Sequence, residues 1–297
     1  MSEPEKSLGC VAFVGLGVMG FPMAGHLSQI AQRVQVYNRT QEVARRWIET
    51  YPGSGVLGDS PRDVAIGADV VFMCVGNDDD VRSVAYGDHG VIAGLDSGAL
   101  LVDHTTASRD LAIELEQACR SKQIGFLDAP VSGGQAGADN GALTIMVGGE
   151  EDQYLRALPY LECYSKKCEL MGSVGFGQLT KMVNQICIAG VLQGLAEGIH
   201  FGQSAGLDIE KVVDVISKGA AQSWQMENRA LTMNQDKFDF GFAVDWMRKD
   251  LGIALETARS TNARLPLTAL VDQFYGDIQA QGGGRLDTSS LLRRLSS

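Results

Sequence analysis

Short apolar runs alternate with amphipathic segments through the first 172 residues, and this alternation constrains the fold more than any other feature. The runs are rich in β-branched and aromatic residues and have the length of buried strands. They are Cys10–Val14, Val34–Tyr37, Val70–Val75, Leu100–Asp103, Gly125–Asp128, Leu143–Val147 and Lys167–Met171. Helix-like segments lie between them. Repeated strand and helix predict a doubly wound α/β domain with a parallel sheet covered on both faces.

The pattern changes after Gly172. One apolar-periodic segment extends from about Gln178 to Ala205, and only helical patterns follow it. A length of 297 residues also suggests two domains. The sequence therefore predicts an α/β domain over residues 1–172 and an all-α domain over residues 173–297, which begins with a long interdomain helix.

Charge and apolar patterning exclude several classes of protein. The chain has 25 basic and 36 acidic residues and a net charge of −11, so its surface repels nucleic-acid phosphates. No stretch approaches the apolar content of a membrane span. Residues 1–9 carry three charges and lack the apolar segment of a signal peptide. We therefore expect a cytoplasmic protein with neither nucleic acid nor membrane as a partner.

Metal and hydrolase chemistry are not predicted. The six cysteines and four histidines lack the spacing of a metal site. The run Asp78–Asp80 favours a helix N-terminus over a metal cluster. Ser132 has no identifiable histidine to support a nucleophile.

A glycine-rich loop follows the first predicted strand and opens a predicted helix. In the spacing Gly-x-Gly-x-x-Gly, the first glycine permits a tight turn, the second lets backbone N–H groups approach a pyrophosphate, and the third allows close helix–strand packing. A glycine turn without a ligand is the simpler alternative. In this context the loop predicts a dinucleotide site made of Gly15, Leu16, Gly17, Val18, Met19 and Gly20.

The end of the second predicted strand indicates which dinucleotide is bound. An NAD enzyme places an acidic residue here for the ribose 2′-hydroxyl, whereas this chain has Asn38, Arg39 and Thr40. A guanidinium suits a 2′-phosphate, so NADP is favoured, with NAD possible; a solvated surface arginine is the alternative. Ligands lie at the carboxyl ends of parallel strands, which adds four residues to the predicted cofactor site: Val75, Asn77, Thr105 and Thr106.

Four motifs in order resemble the β-hydroxyacid dehydrogenases, the family of 3-hydroxyisobutyrate dehydrogenase and of the tartronate semialdehyde and glyoxylate reductases. They are Phe13–Ala24, Asp128–Gly149, Gly175–Gln185 and Lys249–Gly252, and the resemblance covers residues 10 to 295. It implies a Rossmann-like domain, a long interdomain helix and a helical domain. It also implies an NAD(P)-dependent oxidoreductase that interconverts a small β-hydroxyacid and its semialdehyde or keto form.

The resemblance assigns roles to individual residues. It implies that Lys181 is the acid or base, that Asn184 or Gln185 orients the substrate, and that Ser132, Gly133 and Gly134 bind a carboxylate. It further implies that Lys249 and Phe242 lie near the cofactor. Burial makes a lysine amine a better acid or base near neutral pH, and residues three and four positions on share its helix face.

Simpler interpretations and two other functions remain open. Lys181 and Lys249 could be solvated lysines, Phe242 a core residue, and Ser132–Gly134 a plain turn. An imine reductase has the same two-domain plan, although the typical one lacks this lysine. A non-catalytic dinucleotide-binding protein would use the site only to sense cofactor, and turnover separates it from an enzyme.

The long helix also suggests an oligomer. About 28 residues extend ~42 Å, and an α-domain of ~90 residues covers little of that length. A second subunit is the simplest cover, so we expect a homodimer or homotetramer, as is typical of the family. The alternative is a monomer whose later helices cover the whole helix. The apolar positions at issue are Ile186, Val191, Leu192, Leu195, Ile199 and Phe201.

Overall fold

The computed structural model describes residues 8–53 and 55–295. The expectation about a leader falls largely on residues 1–7, which lie outside the described residues. The chain forms two compact units that divide between Lys181 and Met182. Each unit has its own hydrophobic core.

The first unit is built on a mostly parallel sheet. Its described strands are β1 (Leu8–Val14), β2 (Ala31–Tyr37), β3 (Gly55–Leu57), β4 (Val70–Met73), β5 (Leu100–Asp103), β6 (Gly125–Asp128), β7 (Val131–Ser132), β8 (Leu143–Gly148) and β9 (Ser165–Gly172). Their order is β3-β2-β1-β4-β5-β6-β8-β7, with β9 paired to β8. The predicted doubly wound fold is confirmed, and the short strands β3 and β7 are additions to it.

One part of the sheet differs from the parallel arrangement that the sequence predicts. β8 runs antiparallel to β6, with Asp128 opposite Gly148, and antiparallel to β7, with Ser132 opposite Thr144. After β6 the chain continues through β7 and then turns back as β8, which pairs with both strands in the same register. Such a return makes neighbouring strands antiparallel, whereas parallel neighbours need a crossover.

Helices cover both faces of this sheet. They are α1 (Gly20–Leu27), α2 (Gln41–Thr50), α3 (Pro61–Ala65), α4 (Asp78–Ala85), α5 (Val91–Gly94), α6 (Arg109–Arg120), α7 (Gly134–Asp139) and α8 (Glu151–Leu161). Phe13 and Phe72 belong to the core on one face, and Val14 and Met73 to the core on the other. Since side chains alternate along a strand, both faces of β1 and β4 are buried, which explains their continuous apolar sequence.

The second unit contains helices and no strand among its described residues. They are α9 (Phe176–Ser204, which starts in the first unit), α10 (Ile209–Ile216), α11 (Trp224–Asn234), α12 (Val244–Thr261), α13 (Pro266–Ala280) and a terminal 3₁₀ segment, Thr288–Leu295. The core joins α9 to α12 and α13 through residues such as Leu192, Met247 and Tyr275.

The long helix α9 has one buried and one exposed apolar face. Leu192, Leu195 and Ile199, which the sequence offered as surface for a second subunit, are buried within the chain's own core. Val191 and Phe201 are 41% and 70% exposed. The chain's own helices thus bury three of the six apolar positions at issue, and Ile186 is half-buried.

By length and composition alone, α9 could also cross a membrane. Its most apolar 18-residue window has a mean hydropathy of 1.2, and 44% of that window is buried. This corrects the expectation that no stretch approaches such apolar content. A core helix meets the same criterion, and the buried apolar side chains of α9 from Ala189 to Ile199 lie in the core of the second unit.

The three glycines of the loop between β1 and α1 have different surroundings. Gly15 has a φ of +97°, and a Cβ there would lie 2.3 Å from the Cys74 carbonyl oxygen. A Cβ on Gly20 would lie 2.0 Å from the Gly15 carbonyl oxygen. Gly17 has no atom within 4 Å of a Cβ position. Packing therefore requires the first and third glycines, while the second faces open space.

This contrast predicts different effects for the same substitution at two positions. Gly20→Ala should lower the free energy of unfolding by about 2–4 kcal/mol, because backbone must move to admit the methyl group. Gly17→Ala should change it by less than about 0.5 kcal/mol. Urea unfolding of both variants measures this. Equal losses of stability at the two positions would contradict the observed packing.

Candidate functional site

The predicted cofactor residues follow a row of strand ends at one edge of the sheet. Val14 pairs with Tyr37 and Met73, Met73 with Asp103, and Asp103 with Asp128. The glycine loop, residues 38–40, 75–77 and 105–106, and the start of the Ser132 segment all leave from this row. The structure thus brings these predicted residues of the first unit to a common edge.

Asn38 is bonded to the glycine loop. Its Oδ1 accepts from the Leu16 backbone N–H (2.9 Å), and its Nδ2 donates to the Thr40 carbonyl (3.0 Å). The sequence analysis placed Asn38 among the residues that face the dinucleotide. In the structure its side chain ties the end of β2 to the loop, and Thr40 precedes α2 as an exposed residue.

Arg39 lies at the surface next to an acidic residue. Its side chain is 86% exposed, and Nη1 lies 3.2 Å from Asp80 Oδ1. Asp80 stands in the first turn of α4, where its backbone N–H donates to Asn77 Oδ1 (2.9 Å). Asn77, predicted as a cofactor residue, is therefore the N-cap of this helix, which begins at the acidic run Asp78–Asp80 as expected. An exposed pair of this kind contributes little stability, so Arg39 is available to an anionic ligand.

Thr105 joins the next two strand ends. Its Oγ1 accepts from the Val75 N–H (3.1 Å), and its own N–H donates to Asp103 Oδ1 (2.9 Å). Thr105 is buried, whereas Val75 and Thr106 are half-buried and reachable. These bonds fix the two loops relative to each other before any ligand arrives.

These surroundings fit a pyridine dinucleotide. Open space at Gly17 leaves room for a pyrophosphate beside the loop backbone, and α1 begins directly after the loop. Leu16 is held by Asn38, so the loop geometry is set in advance. The residues that would hold the group are those of the glycine loop.

The segment Ser132–Gly134 ends β7 and opens α7. Ser132 is half-buried and the two glycines are exposed. Gly133 and Gly134 have φ values of +133° and +60°, which glycine adopts readily, and a Cβ on Gly134 would meet nothing within 4 Å. The turn therefore presents a hydroxyl and the backbone N–H groups of two exposed glycines, groups that can bind a carboxylate.

Two buried carboxyls at the strand ends were not among the predicted site residues. Asp128 Oδ1 accepts from the Gly175 N–H (2.7 Å), and Oδ2 accepts from the Gln178 N–H (2.9 Å). Burial raises the pKa of Asp128 to about 6, against the lowering effect of these bonds. Burial likewise raises the pKa of Asp103 to about 7. Asp128 opens the motif Asp128–Gly134, which was the one signal in the sequence for it.

Lys181 lies on the second turn of α9, at the end of the first unit. It is only 6% exposed, although lysine is rarely buried unless it is paired or functional. Asp128 and Gln178 fix the start of the helix that carries it. The interpretation of Lys181 as a solvated surface lysine is therefore wrong.

In the second unit, the two predicted amides belong to a chain of hydrogen bonds. Asn184 Nδ2 donates to Gln185 Oε1 (2.8 Å), and Gln185 Nε2 donates to Asp250 Oδ2 (2.6 Å). Lys249 Nζ lies 3.2 Å from Asp250 Oδ1. Asp250 is 1% exposed and was not among the predicted site residues, although it stands in the motif Lys249–Gly252. It holds Gln185 and Lys249 at once.

Phe242 is half-buried and is positioned through its backbone. Its N–H donates to Asp287 Oδ2 (2.9 Å), and Asp287 Oδ1 also lies 3.3 Å from Arg229 Nε. Asp287 is buried. Phe242 packs against the core of the second unit as a partly buried residue.

No group of three or more potential metal-ligating side chains occurs among residues 8–53 and 55–295. His104 is buried, with Nδ1 2.6 Å from the Ala129 carbonyl oxygen and Nε2 2.9 Å from the Tyr164 hydroxyl. Burial lowers the pKa of His104 to about 4, so it is neutral at pH 7. This histidine is part of the core.

Two family models cover almost the whole chain. Residues 10–172 match the NAD binding domain of 6-phosphogluconate dehydrogenase. Residues 175–295 match the family described as NAD-binding of NADP-dependent 3-hydroxyisobutyrate dehydrogenase.

Individual proteins agree with these matches. An uncharacterized oxidoreductase of Shewanella frigidimarina is 62% identical over 96% of this chain and 97% of its own length. A probable 3-hydroxyisobutyrate dehydrogenase-like protein of Arabidopsis thaliana is 41% identical over 96% of this chain and 84% of its own. The structure of Mycobacterium tuberculosis 3-hydroxyisobutyrate dehydrogenase with L-serine has a TM-score of 0.88 at 30% identity, covering 98% and 100% of the two chains. With its Rossmann-like sheet, long helix and helical second unit, this chain belongs to the β-hydroxyacid dehydrogenase family of NAD(P)-dependent oxidoreductases that act on CH–OH groups.

Proposed function

We propose that the protein is an NADP(H)-dependent oxidoreductase that interconverts a small β-hydroxyacid and its semialdehyde or keto form. The observation that carries the proposal is the burial of Lys181 on a helix start that is bonded to the cofactor edge of the sheet. Family membership supplies the class of reaction. The structure with L-serine, a small hydroxyl-bearing carboxylate, supports the class of substrate.

Each group has a defined task in this proposal. Lys181 Nζ takes the proton of the substrate hydroxyl during oxidation and returns it to the carbonyl oxygen during reduction. The Ser132 hydroxyl and the N–H groups of the following glycines bind the substrate carboxylate. Asn184 and Gln185 orient the substrate oxygen as a bonded pair. When bound, the nicotinamide accepts or supplies the hydride.

Replacing Lys181 tests the proposal. Lys181→Ala should lower kcat by about 10²–10⁴-fold, the range for loss of a general acid or base, and Lys181→Met, which keeps more side-chain volume, should do the same. NADPH-linked turnover is measured with glyoxylate, succinic semialdehyde, 3-hydroxyisobutyrate and D- and L-serine. Lys211→Ala, on an exposed lysine of α10, is the matched control.

Other outcomes identify the alternatives. Reduction of imines, with no turnover of the hydroxyacid panel, would indicate an imine reductase. Tight NADPH binding without turnover of any of these substrates by the unsubstituted protein would indicate a non-catalytic dinucleotide-binding protein. Full activity of both Lys181 variants would overturn the role given to this lysine.

The choice of NADP over NAD is proposed from Arg39. Its exposed guanidinium can leave Asp80 for a doubly charged 2′-phosphate, and no acidic residue stands at the end of β2 to repel that phosphate. The family model for residues 175–295, which names an NADP-dependent enzyme, supports the same choice.

Arg39→Ala should therefore raise the KM for NADPH by about 10- to 100-fold, equivalent to ~1.5–3 kcal/mol for a hydrogen bond to a charged group. The KM for NADH should change by less than about twofold, because NADH has no 2′-phosphate. Arg45→Ala, on an exposed arginine of α2, serves as control. An unchanged KM for NADPH in Arg39→Ala would show that this loop does not select the cofactor.

We also propose that the protein is a homodimer or homotetramer. The exposed residues Val183, Cys187, Val191 and Phe201 lie along one side of α9, and Leu267 of α13 is 52% exposed beside Gly190. Val183 is two positions from Lys181, or about 200° around the helix, so this apolar face points away from the lysine. A second copy of the chain is the simplest cover for it.

Light scattering at micromolar concentration should give a multiple of 31.8 kDa. Phe201→Asp should lower the measured mass, because a carboxylate in an apolar interface loses its hydration. Leu155→Asp, at a 55% exposed position of α8, should leave the mass unchanged. A mass near 31.8 kDa for the unsubstituted protein would refute the oligomer.

A further inference from the structure

The side chain of Gln178 bonds the start of α9 to the loop that follows β5. Its Nε2 donates to the Thr105 carbonyl (2.7 Å), and its Oε1 accepts from the Ala107 N–H (3.0 Å). Gln178 is 1% exposed, so water does not compete for these bonds. One amide thus satisfies both a donor and an acceptor of a buried turn.

The backbone of the same residue is held from another side. The Gln178 N–H donates to Asp128 Oδ2 (2.9 Å) at the end of β6. Gly148 and Gly177 give the carboxylate its space, since a Cβ on either would lie within 2.8 Å of an Asp128 side-chain oxygen. The first turn of α9 is therefore fixed to two neighbouring strand ends.

This arrangement connects the predicted cofactor loops with Lys181. Thr105, which Gln178 holds by its carbonyl, accepts from the Val75 N–H, so the bonds reach the loop after β4. Lys181 follows Gln178 by three positions on the same helix, which places the two on adjoining turns of one face. The loops after β4 and β5 and the helix start that carries Lys181 are therefore joined by one set of hydrogen bonds.

We infer that Gln178 is a positioning residue for proton transfer by Lys181, because it sets the distance between the predicted cofactor loop after β5 and the helix turn that carries this lysine. The inference rests on the proposed role of Lys181. Proton transfer depends steeply on geometry, so a displacement of the helix start lowers the chemical step more than it lowers binding.

Gln178→Met is the first test, because methionine has a similar shape and makes neither hydrogen bond. It should lower kcat by about 10- to 100-fold and change the KM for NADPH and for substrate by less than about threefold. The matched control is Gln193→Met. Gln193 lies on the same helix, is 5% exposed, and donates to Glu197 Oε1 (2.6 Å) rather than to a cofactor loop. Its loss should leave kcat within about twofold of the unsubstituted enzyme.

Gln178→Glu separates positioning from a merely structural contribution. A protonated glutamic acid can accept from Ala107 and donate to Thr105 as glutamine does, whereas the ionised carboxylate cannot donate. The charged groups around this position include Asp128, its neighbour Asp103, Asp78, which accepts from Ser108 beside Ala107, Lys181 on the next turn, and Arg109, whose side chain packs against Gly175. Taken relative to the unsubstituted enzyme at each pH, kcat of the variant should recover as the pH falls from 8 to 5.5.

The outcomes distinguish this inference from the proposed function. If Lys181→Ala loses turnover while Gln178→Met behaves like Gln193→Met, the positioning role is wrong and the catalytic role of Lys181 stands. If the Gln178→Glu ratio is independent of pH, or if the Gln178 variants lose thermal stability but keep kcat, the positioning role is also wrong. Full turnover by Lys181→Ala overturns the proposed function itself.

Discussion

The Asp128 carboxylate accepts the Gly175 and Gln178 N–H groups where β6 ends and α9 begins, and the functional part of the first unit depends on this contact. A carboxylate without water is costly unless donors surround it. Here the donors are N–H groups at the start of a 29-residue helix, which have no acceptor within the helix itself. The helix dipole also favours negative charge at this end. The helix that carries Lys181 is thereby fixed to the sheet.

A second buried carboxyl, that of Asp103, lies on the strand next to Asp128. Asp103 and Asp128 are paired residues on adjacent parallel strands, and the Asp128 carboxylate adds to the effect of burial in raising the pKa of Asp103. Burial raises the pKa of Asp103 to about 7 and that of Asp128 to about 6. Asp103 receives donors from Thr105 instead, which orders the loop beside it.

The sequence predicted the parts of the fold that depend on local pattern. The parallel strands β1, β2, β4, β5 and β6, the glycine loop and the long helix α9 all follow from periodicity and glycine spacing. It could not predict the direction of β8, since an apolar run has the same composition in either direction. The strands β3 and β7 have three and two residues, too few to show a period.

The sequence also could not predict the roles of site residues whose partners lie far away along the chain. Asn38 is a residue type that can bind a ligand, yet its side chain bonds the Leu16 N–H, 22 residues away in the sequence. Asp250 and Gln185 meet across 65 residues, and Gln178 meets Thr105 across 73. A motif marks such positions as belonging to a site. Only the folded chain shows whether each side chain faces a ligand or supports a neighbour.

The strand order also fixes the spacing between β1 and β6 along the edge of the sheet. From β1, which precedes the glycine loop, to β6, which leads into the Ser132 turn, there are three strand spacings, or about 14 Å. Because β6 and β7 pair with β8 in one register, the chain from Asp128 to Ser132 stays extended beyond the sheet edge instead of folding back toward the loop. The proposed dinucleotide loop and the proposed carboxylate turn therefore leave the sheet three strands apart along its carboxyl edge.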